Sequence, residues 1–94
     1  MLSERVQARV RRDFPPAEAE AAIRRLEALR LALAENQSLE RIQAAVVLLS
    51  DGDAGRLAHH ARLAERDWRD LLVFSGLGNA DWPARLDAEL GEER

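Results

Sequence analysis

Residues 44–49 read Ala-Ala-Val-Val-Leu-Leu, six apolar positions in a row inside a chain otherwise patterned as amphipathic helix. A helix that is apolar on every side has no face to give to water, so it belongs in the centre of a bundle with its neighbours wrapped around it. The expectation is an all-α fold: a compact orthogonal bundle of about five helices with a buried central third helix. Composition agrees, since Ala, Leu, Arg and Glu make up well over half of the residues and all are good or fair helix formers. Val and Ile are few and Tyr is absent, which leaves little to build strands from. At 94 residues the chain is just large enough to bury one core without staples. Residues 1–91 read as a single helical domain and 92–94 as a frayed acidic tail.

Breakers and caps divide the rest. A first helix is expected over Leu2–Asp13, with Ser3 near its start and Leu2, Val6 and Val10 as its apolar seam. Phe14-Pro15-Pro16 stops it, and Pro16 then suits the first turn of a second helix. The stripe Ala19, Ala22, Ile23, Leu26, Leu29, Leu33 carries that second helix to about Glu35, with Leu31 on the opposite side. Ser38 can cap the third helix, about Leu39 to Ser50. Asp51-Gly52-Asp53 makes the next turn, with Gly52 free to take a left-handed conformation and Asp53 placed to cap. Leu57, Ala61, Ala64, Trp68 and Leu71 or Leu72 then stay in phase, so the spacing fits one helix from Ala54 to Ser75. Asp67 followed by Asp70 equally fits a fresh start near Arg66. A loop over Ser75–Asn79 precedes a last short helix, Trp82 to about Leu90, capped by Asp81.

Both tryptophans follow an aspartate, as Asp67-Trp68 and Asp81-Trp82. A capping acid followed by a large anchor reads as a device for seating two helices on one core. Arg41-Ile42-Gln43-Ala44-Ala45, the turn Ser50-Asp51-Gly52-Asp53 and Asp67-Trp68-Arg69-Asp70-Leu71-Leu72 together resemble short, all-helical bacterial proteins of uncharacterised activity. Their pattern is a helix, a Gly-Asp turn, a second helix and then Asp-aromatic-Arg-Asp, here over residues 41–82. The resemblance implies a helical fold and a bacterial origin, and transfers no activity.

Charge and residue types narrow the chemistry. A net charge of −3 sets the overall field against wholesale binding of nucleic acid or anionic lipid. Without cysteine there is no disulfide, thiol catalysis or Cys-based zinc site. No signal-peptide pattern and no apolar run long enough to span a bilayer is present, so a cytoplasmic protein without a membrane association is expected. His59 and His60 are adjacent, about 100° apart on a helix, and cannot share a metal as residues three or four apart do. Ser3, Ser38, Ser50 and Ser75 all fall at helix ends or turns, where capping accounts for them. Gly76-Leu77-Gly78 follows no strand and is too short to cradle a phosphate. Neither enzyme activity, a cofactor nor a metal is therefore expected.

Two features point to binding. On a continuous fourth helix His59, Arg62, Arg66 and Arg69 share one face, and Arg5, Arg9 and Arg12 form a second basic row. Acids such as Asp70, four residues after Arg66, sit among these arginines and offset their field. Leu31, Leu63, Val73 and Phe74 fall off the stripes of their helices and would mark an interface if gathered into one patch. The leading expectation is a small non-enzymatic protein-interaction or regulatory module, with an unknown protein partner or a second copy of itself. Its rival is a nucleic-acid-binding domain that uses His59, Arg62, Arg66 and Arg69, which the acidic net charge disfavours.

Overall fold

A computed structural model of the chain describes residues 2–31 and 38–91. Among them lie α1 (Glu4–Asp13), α2 (Pro16–Glu27), α3 (Leu39–Ser50), α4 (Ala54–Ser75) and α5 (Trp82–Leu90), with no strand. The 92–94 tail, Leu33 of the second stripe and the expected helix end near Glu35 lie outside the described residues. No described helix is long and apolar enough to cross a membrane.

The first four residues of the apolar run take the place expected of them, while Leu48 and Leu49 at its end are only half-buried. Ala44, Ala45, Val46 and Val47 are each 0% exposed, because α1, α4 and α5 all pack against α3. Val6 and Val10 of α1 are wholly buried, as is Leu26 of α2. The result is an all-α bundle with a Cα radius of gyration of 12.1 Å.

Local chemistry places most of the helix ends. Ser3 Oγ accepts the Val6 N–H at 3.4 Å, so α1 begins two residues later than expected, with Ser3 outside as its cap. Ser38 Oγ accepts from Arg41 N at 3.2 Å and Asp53 Oδ1 from Arg56 N at 2.9 Å, satisfying amides that helix starts leave open. At the α3–α4 turn both Asp51 (φ 50°) and Gly52 (φ 75°) are left-handed. A Cβ on Gly52 would lie 2.3 Å from the Asp13 carbonyl oxygen, so this turn rests on the end of α1 and only glycine fits it.

Three expectations need correction, and the choice left open for the fourth helix is decided. The second helix ends at Glu27 and not near Glu35. Inside a longer helix the Arg30 N–H would use the Leu26 carbonyl, but that oxygen takes the Leu29 N–H at 3.3 Å and Arg30 N donates to Glu65 Oε2 at 3.0 Å. A side-chain acceptor on α4 thus draws the backbone out of the helix. Within α4, Asp67 is extended (φ −156°, ψ 84°) and accepts the Asp70 N–H on Oδ1 at 3.4 Å, capping a fresh turn. The fourth helix is therefore two parts, 54–66 and 68–75, meeting at Asp67. Asp81 makes no side-chain cap bond, because its backbone (φ −84°, ψ 10°) is not the extended one from which a cap reaches N2 or N3. Trp68, expected on a buried stripe, is only half-buried, since the break at Asp67 resets the phase.

Two substitutions test these points. Gly52→Ala should lower unfolding free energy by about 2 kcal/mol or more through left-handed strain and the Asp13 clash, measured by urea titration. Trp68→Ala should cost about 2 kcal/mol, below the ~3–5 kcal/mol of a wholly buried tryptophan, and a loss in the upper range would contradict the half-buried placement.

Candidate interaction surface

The arginines divide into those that hold the fold and those that do not. Arg5 forks onto Glu40, with Nε to Oε2 at 2.9 Å and Nη2 to Oε1 at 2.7 Å, and its Nη1 reaches Asp87 at 2.6 Å and the Gly91 carbonyl at 2.9 Å. One guanidinium so ties α1 to α3 and α5. Both partners respond: the carboxylates raise the Arg5 pKa, and Arg5 with Ser3 holds Glu40 below its ordinary value. Arg9 pairs with Asp13 at 2.8 Å and donates to the Glu89 carbonyl at 2.8 Å. Arg41 donates to the Leu77 carbonyl at 2.8 Å and lies 4.8 Å from the Trp82 ring centroid. Burial pushes its pKa down. The basic row on α1 is thus mostly consumed inside the molecule; of its three members only Arg12 stays largely exposed.

Glu65, expected only as one of the acids that offset the α4 arginines, organises the end of α2. Its carboxylate receives Arg25 at 3.0 and 3.4 Å as well as the Arg30 amide. Arg25 and the Arg30 N–H hold its pKa below the ordinary carboxylate value against a smaller opposing effect of burial. No local signal marks this contact, since its partners lie 35 and 40 residues away.

The expected basic face on α4 is brought together only in part. His59, Arg62 and Arg66 are exposed on the 54–66 part and enter no ion pair among the described residues. Arg69 is exposed too, but it belongs to the part beyond Asp67, with its guanidinium 5.4 Å from the Trp68 ring centroid. The same break removes the i,i+4 geometry that Arg66 and Asp70 would have had.

The apolar candidates separate more sharply. Leu63 is 9% exposed and joins the core: α3 and α2 both lie against α4, so the covered arc is wider than one stripe. Leu31 lies beyond the end of α2, where helical phase does not apply, and packs half-buried against the core. Val73 and Phe74 remain 70% and 66% exposed. They share the outer face of the 68–75 part with Arg69 and Asp70, while Leu71 and Leu72 turn inward. Leu39, at 42%, is the other exposed large apolar residue among those described, and it was not anticipated.

Other chemistry finds little support here. The His59 and His60 rings meet edge to face at 5.1 Å, and His60 Nδ1 is buried without a hydrogen-bond partner. Burial first, then His59 and Arg56, lowers the His60 pKa. The described residues contain no group of three or more His and acidic side chains able to hold a metal. All four serines are engaged with backbone: Ser3 and Ser38 as caps, Ser50 and Ser75 donating to Val46 and Leu72 carbonyls. A groove of about 250 Å³ between α2 and the start of α4 is walled by Ala17, Ala21, Ala54, Ala58 and Leu57. It is smaller than usual ligand pockets of roughly 300–1,000 Å³.

Glu65 offers a pH test. An acid with a depressed folded pKa contributes stability above its unfolded pKa and loses it as pH falls through the folded one. Glu65→Gln should therefore destabilise the protein at neutral pH and make progressively less difference as pH falls below the ordinary carboxylate range. Urea titrations of both proteins at neutral and acidic pH measure the gap, and a gap constant with pH would refute this role.

Compared with protein-family models, with curated proteins and with solved structures, the chain shows no significant match, so its function must be argued from its own side chains.

Proposed function

We propose that this chain is a small non-enzymatic interaction module that docks a protein partner, or a second copy of itself, on the outer face of residues 68–75. The observation that carries this reading is the adjacency of Val73 and Phe74, each about two-thirds exposed on one helix turn. Nearly every other large apolar side chain described is buried or packed against the core. Two neighbouring apolar side chains left in water serve no packing purpose, and association would remove their surface from solvent. Arg69 lies on the same turn and adds a cation beside the apolar pair, while Arg66, Arg62 and His59 belong to the part before the break at Asp67. Leu31 and Leu63 drop out of the surface because the core takes them.

Nucleic-acid binding has less support. Arg5 and Arg9 are committed to internal carboxylates, and the break at Asp67 divides the remaining row. Asp67 and Asp70 stand beside Arg66 and Arg69 and weaken any phosphate-attracting field there.

The test is the double substitution Val73→Asp with Phe74→Asp. Both sites are exposed, so the melting midpoint should move by only a few degrees. Association seen for the parent by sedimentation velocity over a concentration series, or by capture from native lysate, should be lost. The reading fails if the double variant keeps every association of the parent. A salt-sensitive shift of duplex DNA, lost on Arg62→Glu with Arg66→Glu, would favour the rival instead.

A further inference from the structure

Taking the outer face of residues 68–75 as the docking surface, as proposed above, we propose that its occupant is an acidic amphipathic helix. Its apolar side would lie on Val73 and Phe74, with two carboxylates reaching Arg69 and Arg85. Arg85 comes from α5 and has no sequence link to this face. Its guanidinium nevertheless stands at the end of α4: a Cβ on Gly76 would lie 3.1 Å from Arg85 Nη2 and 3.6 Å from its Cζ. Cations thus bracket the apolar pair, one a turn before it and one just after it.

Arg85 is not needed there to cap the helix. The Leu72 carbonyl already accepts the Leu77 N–H at 3.1 Å and Ser75 Oγ at 3.0 Å. The Val73 carbonyl accepts the Gly76 N–H at 3.3 Å. Among the described residues Arg85 makes neither an ion pair nor a side-chain hydrogen bond, although its fork has five donors. The Arg69 guanidinium lies over the Trp68 ring, 5.4 Å from its centroid, and is likewise without a carboxylate among the described residues. A guanidinium fixed on an aromatic face gives up less freedom when it binds.

Charge and spacing select the partner. Arg69 and Gly76 are seven residues apart, roughly 10 Å along a helix axis. A partner helix with acids at i and i+7 repeats that interval, and its i+3 and i+4 positions then fall over the apolar pair. A second copy fits poorly. With Arg66 and Asp67 set apart at the break, Arg69 and Arg85 outnumber Asp70 on this face, so two such faces repel each other.

The probe is a fluorophore-labelled Ala-based helical peptide with Glu at i and i+7 and Leu at i+3 and i+4. Matched peptides carry Lys or Gln in place of the two Glu. Each is titrated into the full chain by anisotropy, with the circular dichroism melt of every variant recorded. The Glu peptide should bind saturably, and at least roughly tenfold more tightly than the Lys peptide. Arg69→Glu and Arg85→Glu should each weaken it roughly three- to tenfold. Asp70→Asn should strengthen it. Equal binding of the Glu and Lys peptides, no binding of any peptide, or affinity unchanged within about twofold in both arginine variants overturns the acidic-helix assignment. If Val73→Asp with Phe74→Asp abolishes peptide binding while the arginine reversals do not, the docking surface stands and only the acidic chemistry fails. If the aspartate pair also leaves peptide binding intact, the surface itself is wrong. Displacement of the Glu peptide by duplex DNA, with tighter binding of the duplex, refutes the assignment in favour of a phosphate backbone.

Discussion

Everything in this fold follows from a helix whose middle cannot touch water. Ala44–Val47 of α3 have no exposure, and the buried set on that helix extends to Ile42, Gln43 and Ser50. Enclosing such a rod requires elements on several sides, and short helices with one apolar seam each are the least demanding way to provide them. α1 supplies Val6 and Val10, α4 supplies Leu57, Ala61 and Ala64, and α5 supplies Leu86. Alanines on α3 let its neighbours approach closely, so a small core becomes a dense one.

The outer elements need more than apolar contact, because each buries little by itself. Within α5 only Leu86 is fully buried, with Trp82 and Leu90 half-buried. Arg5 compensates by reaching both Asp87 and the Gly91 carbonyl from a largely buried position, and Arg9 adds the Glu89 carbonyl. A planar fork can serve several acceptors on two helices at once, which a point-charge ammonium does less well. In a chain whose only strongly basic side chain is Arg, that geometry is available wherever the bundle needs fastening.

Much of this was legible from residues close in sequence, and much of what was missed came from contacts distant in sequence. The missing Asp81 cap and the reset phase at Trp68 arise instead from local backbone. Ser3, Ser38 and Asp53 act within three residues of themselves, so their capping roles could be read directly. The apolar run of α3 announced its own burial. The end of α2 could not be read that way, since the acceptor that ends it, Glu65, sits on another helix. Leu63 was misplaced because one stripe was assumed where two neighbours cover α4. Of the candidate surface, Val73 and Phe74 were visible as residues that fit no seam, and Arg69 as the last member of a basic row. Arg85 was not visible, because only the return of the chain through Leu77 sets it against Gly76.

The composition of the exposed surface gives the functional reading its weight. Exposed positions of the described helices are filled mostly by Arg, Glu, Asp and Ala, which are charged or small and tolerate water. At 73 and 74 the chain instead carries a β-branched and an aromatic side chain, both poorer helix formers, on a part of α4 too short to have propensity to spare. Nothing in the packing asks for them, since Leu71 and Leu72 already fill the inner side of the same turn. A local choice that weakens the helix and exposes apolar surface, without improving the core, is expected where binding sets the residue and folding does not. Leu39 departs from the pattern less, because it is a good helix former, more covered, and stands alone at a helix start. On the proposed reading, the distal turn of α4 is therefore the place where fold and function make different demands on this sequence.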